Sequence, residues 1–153
     1  PPQEILDLVD VKRPPTAIFT TKKDYMILLY RNSYKSIAEL SQEELRLAGL
    51  RIDPKTNIGS RTTFYNSIEV HSLGKKKETP SLSASLPAEP RLSNFSWSPY
   101  ESMMAFTHTT ETGNELLLLD IQQNTVKKLS EGIINDNMYG VISWVRDSKS
   151  LII

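Results

Sequence analysis

The sequence predicts an all-β protein with a small helical insertion, organised as a partial β-propeller of about two four-stranded blades and the start of a third. One phrase, a strand ending in an aromatic residue, then a polar turn and an apolar strand, recurs at residues 19–28, 95–106 and 143–153. Residues 92–129 contain four successive strand patterns, as one propeller blade requires. Trp144 follows Trp97 by 47 residues, a spacing that fits one blade with its loops.

Composition restricts the functional classes that are open to the chain. It has 153 residues, with 18 Lys and Arg balanced by 18 Asp and Glu, so no overall basic field favours nucleic acid or an anionic membrane. There is no cysteine, which excludes disulfides, thiolate catalysis and cysteine metal sites. No run approaches the roughly 20 apolar residues that span a bilayer. We therefore expect neither a nucleic-acid partner nor a membrane partner.

The first third of the chain predicts an arm, a buried strand and a helical insertion. Residues 1–15 end in a diproline that favours extended backbone, and we assign them to an N-terminal arm before a propeller domain at 16–153. Residues 25–30 are an apolar, β-compatible run. Residues 36–48 carry spaced leucines and a capping-box match beginning at Ser41, with Gly49 as a C-terminal stop, so they predict one or two short helices.

The middle of the chain predicts further strands and one long loop. Residues 50–53 and 64–70 have strand character. Residues 74–91 combine prolines, serines and a lysine run at 75–77, which we interpret as a solvated loop rather than a nucleic-acid patch.

The four strands that follow are predicted at residues 92–97, 103–109, 115–120 and 125–129. The middle ones are apolar runs, as expected of strands buried on both faces. Pro99 fixes the backbone at the first turn. A generic antiparallel sandwich and an irregular open sheet remain the alternatives to the propeller fold.

Two blades and a fragment of a third do not close a ring, because propellers usually have four to eight blades. The last copy of the phrase also stops within its second strand. We therefore expect the chain to be a piece of a longer protein. Handled alone, it should self-associate through exposed blade edges.

The repeat phrase at 95–106 resembles the propeller repeat of the prolyl oligopeptidase family of serine peptidases, and also occurs in TolB-type propellers. Residues 2–10 and 44–54 are similar to the amino-terminal region of the glutamyl endopeptidase-like and acylaminoacyl-peptidase-like branch. The phrase departs from the family pattern at Tyr100 and Glu101, where Asp-Gly is usual, and at 21–23, where Pro is missing.

The resemblance implies that the propeller covers the active site of a following α/β-hydrolase domain and limits access to peptides. A Ser-Asp-His triad in that domain would do the chemistry, and the domain is absent from these residues. The partners implied are that C-terminal domain and a peptide substrate. A periplasmic or secreted location is favoured over a cytoplasmic one on this ground alone.

The residues themselves predict no catalytic, cofactor-binding or metal-binding site, and no cofactor. No Gly-x-Ser-x-Gly motif is present. His71 and His108 lie in different predicted strands, and no carboxylate cluster joins them. Residues 135–137 lack the Gly and Glu of a calcium loop. The triplet at Asn94 is a formal glycosylation match that we attribute to chance.

Trp97 and Trp144 could stack on a ligand, but their position in the repeat favours packing. Three functions therefore stay open. The first is an inactive propeller segment of a serine peptidase that serves substrate gating and docking. The second is a TolB or WD40-like binding propeller without peptidase activity, and the third is a self-contained β domain.

Overall fold

The computed structural model describes residues 2–9, 11–74, 86–130, 134–138 and 140–153. Strands predominate, in several small antiparallel sheets of which none is closed, so the all-β prediction is confirmed. No helix in the described part of the chain is long and apolar enough to cross a bilayer. The elements are α1 Gln3–Val9, β1 Thr16–Phe19, β2 Tyr25–Tyr30, α2 Ile37–Leu40, β3 Leu45–Leu47, β4 Leu50–Asp53, β5 Ile58–Gly59, β6 Ser67–Ser72, β7 Leu92–Trp97, β8 Met103–Thr109, β9 Asn114–Asp120, β10 Thr125–Ser130, β11 Ser143–Trp144 and β12 Leu151–Ile152.

The largest sheet is a four-stranded antiparallel meander in the order β10-β9-β8-β7, as the four strand patterns predict. Six of the seven residues of β8 are buried, and β9 is buried at four. This fits the prediction that the middle strands of this sheet are covered on both faces. β10 is an edge strand whose residues are exposed or half-buried, and it carries the charged residues Lys127 and Lys128.

A three-stranded sheet in the order β1-β2-β6 packs beside the meander. The two sheets share one apolar core, and Phe106 on β8 is fully buried in it. Phe95 stacks on the Phe106 ring with the centroids 5.3 Å apart. Backbone hydrogen bonds between Tyr65 and Leu92 join the segment before β6 to the start of β7. The other core residues are Ile27, Leu29, Ile68, Val70, Leu92, Met104, Leu117, Leu119 and Ile121.

The last copy of the phrase forms the hairpin β11–β12. Trp144 packs against a second, smaller cluster that contains Ala105, Leu116 and Ile134. Its indole Nε1 donates to the carbonyl of Ser96 at 3.2 Å, which ties the hairpin to the meander.

The three copies of the phrase share one turn geometry. In the clearest copy, the amide of Ser98 donates to the carbonyl of Met103 at 2.9 Å, and the amide of Glu101 donates to the carbonyl of Ser98 at 2.8 Å. Glu101 has the left-handed φ of 54°. The matching bonds in the other copies are Thr20 to Tyr25, Lys23 to Thr20, Val145 to Ser150 and Ser148 to Val145. The matching left-handed residues are Lys23 and Ser148, with φ of 55° and 56°.

Strand register repeats in the same way as the turns. The aromatic residue before each turn faces a residue seven positions further along the chain in all three copies. These pairs are Phe19 with Met26, Trp97 with Met104 and Trp144 with Leu151. The recurrence in the sequence is therefore a recurrence of backbone structure, at the end of the sheets that we call the turn edge (residues 20–24, 98–102 and 145–149).

Side chains on the turn edge join consecutive copies. The Glu101 carboxylate accepts from the Thr21 amide at 2.8 and 3.0 Å and from the Thr21 hydroxyl at 2.6 Å. The Ser148 hydroxyl accepts from the Tyr100 amide at 3.1 Å. Glu101 and Ser148 occupy the same left-handed position in their copies, so one position links each turn to the one before it.

The predicted helical insertion at 36–48 is mostly wrong. Only residues 37–40 are helical, and the capping box closes from Ser36 to Glu39 rather than from Ser41. Residues 45–59 form a three-stranded sheet in the order β3-β4-β5. Gly49, predicted as a helix stop, lies with Ala48 in the β3–β4 turn, where both residues have positive φ. Leu45 and Leu47, which suggested a helix, alternate along β3 instead, whereas Leu40 is the last residue of α2.

The predicted arm contains a helix that the sequence analysis did not foresee, α1, whose residues are exposed or half-buried. Of the predicted loop at 74–91, residues 75–85, with the lysine run, lie outside the described residues. Residues 86–91 form neither helix nor strand. The strand predicted at 64–70 begins later and is β6.

Candidate functional site

The two clefts of interest lie at the end of the sheets opposite the turn edge, which we call the cleft edge. β2 ends there at Tyr30, β6 begins there at Ser67, and the β8–β9 connection lies there. The arm and the insertion residues 36–64 also connect to the sheets at this end. The short helix α2 contributes residues to both clefts.

The first cleft, which we call the basic cleft, has a volume of about 690 Å³ and lies between the arm, the ends of β2 and β6, and α2. Its cations are Lys12, Arg13, Arg31 and Lys35, against Glu39 and Glu69. The remaining lining residues are mostly polar and include Tyr34 and Asn66. The cleft therefore carries a net positive charge although the whole chain is neutral.

Local contacts fix several walls of the basic cleft. The Lys35 ammonium donates to the carbonyl of Thr62 at 3.0 Å, which ties the start of the insertion to its end. The Tyr30 hydroxyl donates to the Glu69 carboxylate at 2.9 Å, and this hydrogen bond raises the pKa of Tyr30. Arg13 and Arg31 have no acidic partner within 4 Å in the described part of the chain. Their guanidinium groups are the ones best placed to meet an acceptor on a ligand.

The second cleft, which we call the acidic cleft, lies between α2, the β4–β5 turn and the tip of the β8–β9 hairpin, with a volume of about 910 Å³. Thr56 and Arg91 line this cleft, and each carries a buried side-chain atom, Oγ1 and Nε, without a hydrogen-bond partner among the described residues. Arg91 also lies over the Phe64 ring, 4.4 Å from its centroid. The charged lining residues are Glu43, Asp53, Glu89 and Glu111 against Lys55 and Arg91.

The polar and charged groups that line these clefts are suited to binding. Charged groups, amides and hydroxyls along two open grooves can recognise extended backbone and charged side chains. Neither cleft contains a histidine beside a serine or threonine, which nucleophilic catalysis would need. Among the residues that the structure describes, no group of three or more His, Asp or Glu side chains is placed to hold a metal ion.

The two histidines lie in different sheets. His71 on β6 has its Nε2 atom 3.2 Å from a Glu69 carboxylate oxygen. His108 on β8 is buried, with Nδ1 3.5 Å from a Glu115 carboxylate oxygen, and Lys128 completes a row across three strands at 2.7 Å from Glu115. Burial lowers the pKa of His108, and Glu115 opposes that shift. These contacts connect the side chains of three neighbouring strands, β8, β9 and β10.

Asp136, within the weak calcium-loop match at residues 135–137, joins the insertion to the meander. Its backbone amide donates to the carbonyl of Asn57 at 3.0 Å, and its carboxylate accepts from the Asn94 side chain. Burial raises the pKa of Asp136. Asn94 also donates to the Thr107 hydroxyl at 2.9 Å, so the side chain of the formal glycosylation triplet is used inside the fold.

Both tryptophans pack rather than line a cleft. Trp97 packs against the shared core, and its Nε1 is buried without a partner, whereas Trp144 packs on the second cluster. The residues that line the clefts were not singled out from the sequence. Their only signal was the pairing of basic residues at 12–13 and at 31 and 35, on either side of β1 and β2.

Comparison with known proteins gives two similar sequences. The chain is 27% identical over 165 residues to a protein of Arabidopsis thaliana named "Probable glutamyl endopeptidase, chloroplastic". It is 28% identical over 166 residues to a protein of the same name from Oryza sativa subsp. japonica. Each alignment covers 99% of this chain, and the chain spans 17% of the length of these curated relatives. No family model matches the sequence. The similarity is thus to peptidase-named proteins, over a small part of each.

Proposed function

We propose that the chain is an amino-terminal β-propeller segment of a serine-type peptidase of the prolyl oligopeptidase family. In this proposal the meander β7–β10 is one blade, the sheet β1-β2-β6 belongs to the preceding blade, and β11–β12 begins the next. The segment itself is inactive. It controls access of oligopeptides to a catalytic α/β-hydrolase domain elsewhere in the protein and docks against that domain.

This proposal rests on the similarity of 99% of this chain to part of two proteins named as glutamyl endopeptidases, together with the turn geometry that recurs three times. A repeated turn and a repeated strand register support the blade assignment, since each repeat of a propeller is one supersecondary unit. The link from Glu101 to Thr21, and that from Ser148 to Tyr100, join successive units as neighbouring blades would require.

The two edges of the sheets would then have different tasks. The turn edge fixes neighbouring blades to each other, because its polar groups bond across copies. The cleft edge presents charged groups, such as Arg13 and Arg31, that have no acidic partner among the described residues and suit contact with peptide carbonyls and carboxylates. We propose that peptides pass over the cleft edge on the way to the catalytic domain.

Hydrolysis assays test the inactive role. The 153-residue chain should give no turnover of a peptide library above the blank and no labelling by a fluorophosphonate. The full-length protein should be labelled, and its reading frame should encode a Gly-x-Ser-x-Gly motif followed by Asp and His. Labelling of the isolated chain, or a reading frame that lacks the motif, would contradict the proposal.

The gating role has a separate test in the full-length protein. Replacing Arg13 and Arg31 by Glu should change kcat/KM for peptides of ten or more residues by several-fold. It should leave hydrolysis of a two-residue chromogenic substrate unchanged, because a small substrate does not need to contact the cleft edge. Equal effects on both substrates would count against gating.

A binding propeller without peptidase activity is the second candidate. The two clefts of opposite charge favour it, since both are suited to protein or peptide ligands. A reading frame that continues into further repeats and ends without a hydrolase motif would establish this alternative.

A further inference from the structure

A second, smaller cavity adjoins the basic cleft, and we call it the inner cavity. It has a volume of about 260 Å³ and shares Arg13, Arg31, Lys35 and Glu39 with the basic cleft. Arg91, which precedes β7, lines the inner cavity but not the basic cleft. Among the described residues, four cationic side chains therefore line this space together with one carboxylate.

The carboxylate of Glu39 does not neutralise these cations by direct contact. It accepts hydrogen bonds from the backbone amide and the hydroxyl of Ser36, at 2.8 and 2.9 Å. The bond from the Ser36 amide is the main cause of a lowered pKa of Glu39, so this carboxylate is charged at neutral pH. In the described part of the chain no cationic group lies within 4 Å of it. The inner cavity therefore keeps an excess of positive charge.

Three guanidinium groups of the inner cavity are free to bind. Arg13, Arg31 and Arg91 make no side-chain hydrogen bond and no ion pair with another residue that the structure describes. The guanidinium carbon of Arg91 lies 4.4 Å from the centroid of the Phe64 ring. This contact positions Arg91 through its π-face and uses none of its N–H groups, which can donate to a ligand.

The uncharged polar groups of the inner cavity add further donors. The side-chain oxygen of Asn32 already accepts from the Asn66 amide nitrogen at 2.9 Å. The amide nitrogen of Asn32 can still donate, and so can the hydroxyl of Tyr34, whose side chain is 74% exposed. A cavity with many donors and an excess of cations is suited to an anion.

Charge and shape favour a phosphate monoester over a carboxylate as that anion. A phosphate monoester carries about −1.5 to −2 charges at pH 7 and three terminal oxygens that are strong acceptors. Three guanidinium forks can each bond such an oxygen, whereas a carboxylate offers two oxygens and one charge. The volume of about 260 Å³ is smaller than the roughly 300–1,000 Å³ of ordinary small-molecule sites, so it suits the charged group alone.

We propose that the inner cavity binds the phosphate group of a phosphate monoester and that the rest of the ligand lies in the basic cleft. Arg13, Arg31 and Arg91 donate to the phosphate oxygens, and Lys35 adds positive charge. A phosphorylated peptide and a small phosphorylated metabolite are the two sources of this group. The inference does not rest on the peptidase proposal, whose tests use no phosphate, so either can fail without the other.

Nuclear magnetic resonance tests the site with inorganic phosphate as the probe. At constant ionic strength, phosphate should shift the Nε–H signals of Arg13, Arg31 and Arg91, and should leave that of Arg146 on the turn edge unchanged. Acetate should bind about tenfold more weakly. The absence of these shifts, equal affinities for the two anions, or an equal shift at Arg146 would overturn the proposal.

Substitutions then test the arginines one at a time. Arg13→Gln and Arg31→Gln should each weaken phosphate binding about tenfold, because a charge-assisted hydrogen bond is lost. Arg31→Lys should retain part of the affinity, and Arg146→Gln, which removes the same group from the exposed turn edge, should retain all of it. Thermal unfolding verifies that each variant is folded. Unchanged affinity in both Arg13→Gln and Arg31→Gln would overturn the proposal.

Competition identifies the source of the phosphate group. A heptapeptide with a central phosphoserine and adenosine monophosphate are each titrated against inorganic phosphate. Contacts in the basic cleft should make one of them bind about tenfold more tightly than inorganic phosphate, and that ligand indicates a peptide or a metabolite as the source. If neither binds more tightly than inorganic phosphate, the proposed monoester site is wrong.

Discussion

The turn edge and the cleft edge lie at opposite ends of the same sheets, and their polar groups are used differently. On the turn edge, Glu101 and Ser148 each bond to the preceding turn, and the backbone repeats one pattern three times. On the cleft edge, Arg13 and Arg31 have no acidic partner among the described residues, and Arg91 keeps an unpartnered Nε. The repeated edge therefore uses its polar groups to join the copies, whereas the irregular edge leaves charged groups without an acidic partner among the described residues.

The largest loss of stability should come from a substitution in the apolar core that the two sheets share. Phe106→Ala removes a fully buried ring that stacks on Phe95, so we expect the free energy of unfolding to fall by about 3–5 kcal/mol. Urea unfolding followed by fluorescence measures it. Tyr34→Ala on the cleft edge, where the side chain is 74% exposed, is the control and should change stability by less than about 0.5 kcal/mol. A similar decrease in the free energy of unfolding in both variants would contradict the expectation that the core, and not the cleft edge, stabilises the fold.

Glu101 tests whether the turn edge holds the copies together. Glu101→Ala should lower the free energy of unfolding by about 1–2 kcal/mol, because three hydrogen bonds to Thr21 are lost. Glu101→Gly loses the same bonds but relieves the left-handed backbone, so it should be about 1 kcal/mol more stable than Glu101→Ala.

A double-mutant cycle with Thr21→Val sharpens this test. The hydroxyl of Thr21 and the Glu101 carboxylate are 2.6 Å apart, so the two changes should couple by about 0.5 kcal/mol or more. Additive effects would mean that the contact between copies contributes nothing to stability.

The pH dependence of stability should report the buried His108. Because burial lowers its pKa in the folded state, the unfolded chain binds more protons as pH falls through about 6.5, and the free energy of unfolding decreases. His108→Gln should flatten this decrease between about pH 7.5 and 5. Glu115, whose pKa is lowered, should act only below that window. An unchanged slope in His108→Gln would contradict the assignment.

The smallest effect on stability should come from the basic cleft. Arg31→Glu should leave the free energy of unfolding within about 0.5 kcal/mol of wild type, because Arg31 is partly exposed and has no acidic partner among the described residues. The same variant should weaken binding of a peptide carrying two or more carboxylates, measured by calorimetry at low salt. If Arg31→Glu lowered the free energy of unfolding but left peptide binding unchanged, the basic cleft would contribute to stability and not to binding, which would contradict our expectation.

The meander was predictable because its signals are local. Alternation, turn residues and the apolar run at Leu116–Leu119 place β7 to β10 within about a residue of the predicted bounds. The prediction of helices at 36–48 was mostly wrong because Leu45 and Leu47 fit both a helical and a strand pattern. The local capping match at Ser41 favoured the helical pattern, which the structure does not adopt there. These residues form the strand β3 because they pair with β4. Strand pairing of this kind cannot be predicted from a short window of sequence.

The clefts could not be predicted from spacing at all. Arg13, Arg31 and Arg91 lie far apart in sequence, and only the meeting of arm, strand ends and insertion brings them to one edge. The contact between Glu101 and Thr21 is equally non-local, although the unusual Glu in place of Gly was visible as a departure from the repeat pattern.

A crystal structure of a longer chain that includes these residues would test most directly whether the three turns mark successive blades of one propeller. We expect Trp97 and Trp144 to occupy equivalent places in two adjacent four-stranded sheets related by rotation about a common axis. Strands β11 and β12 completed into a sheet that faces the meander as a sandwich, with no such axis, would contradict it.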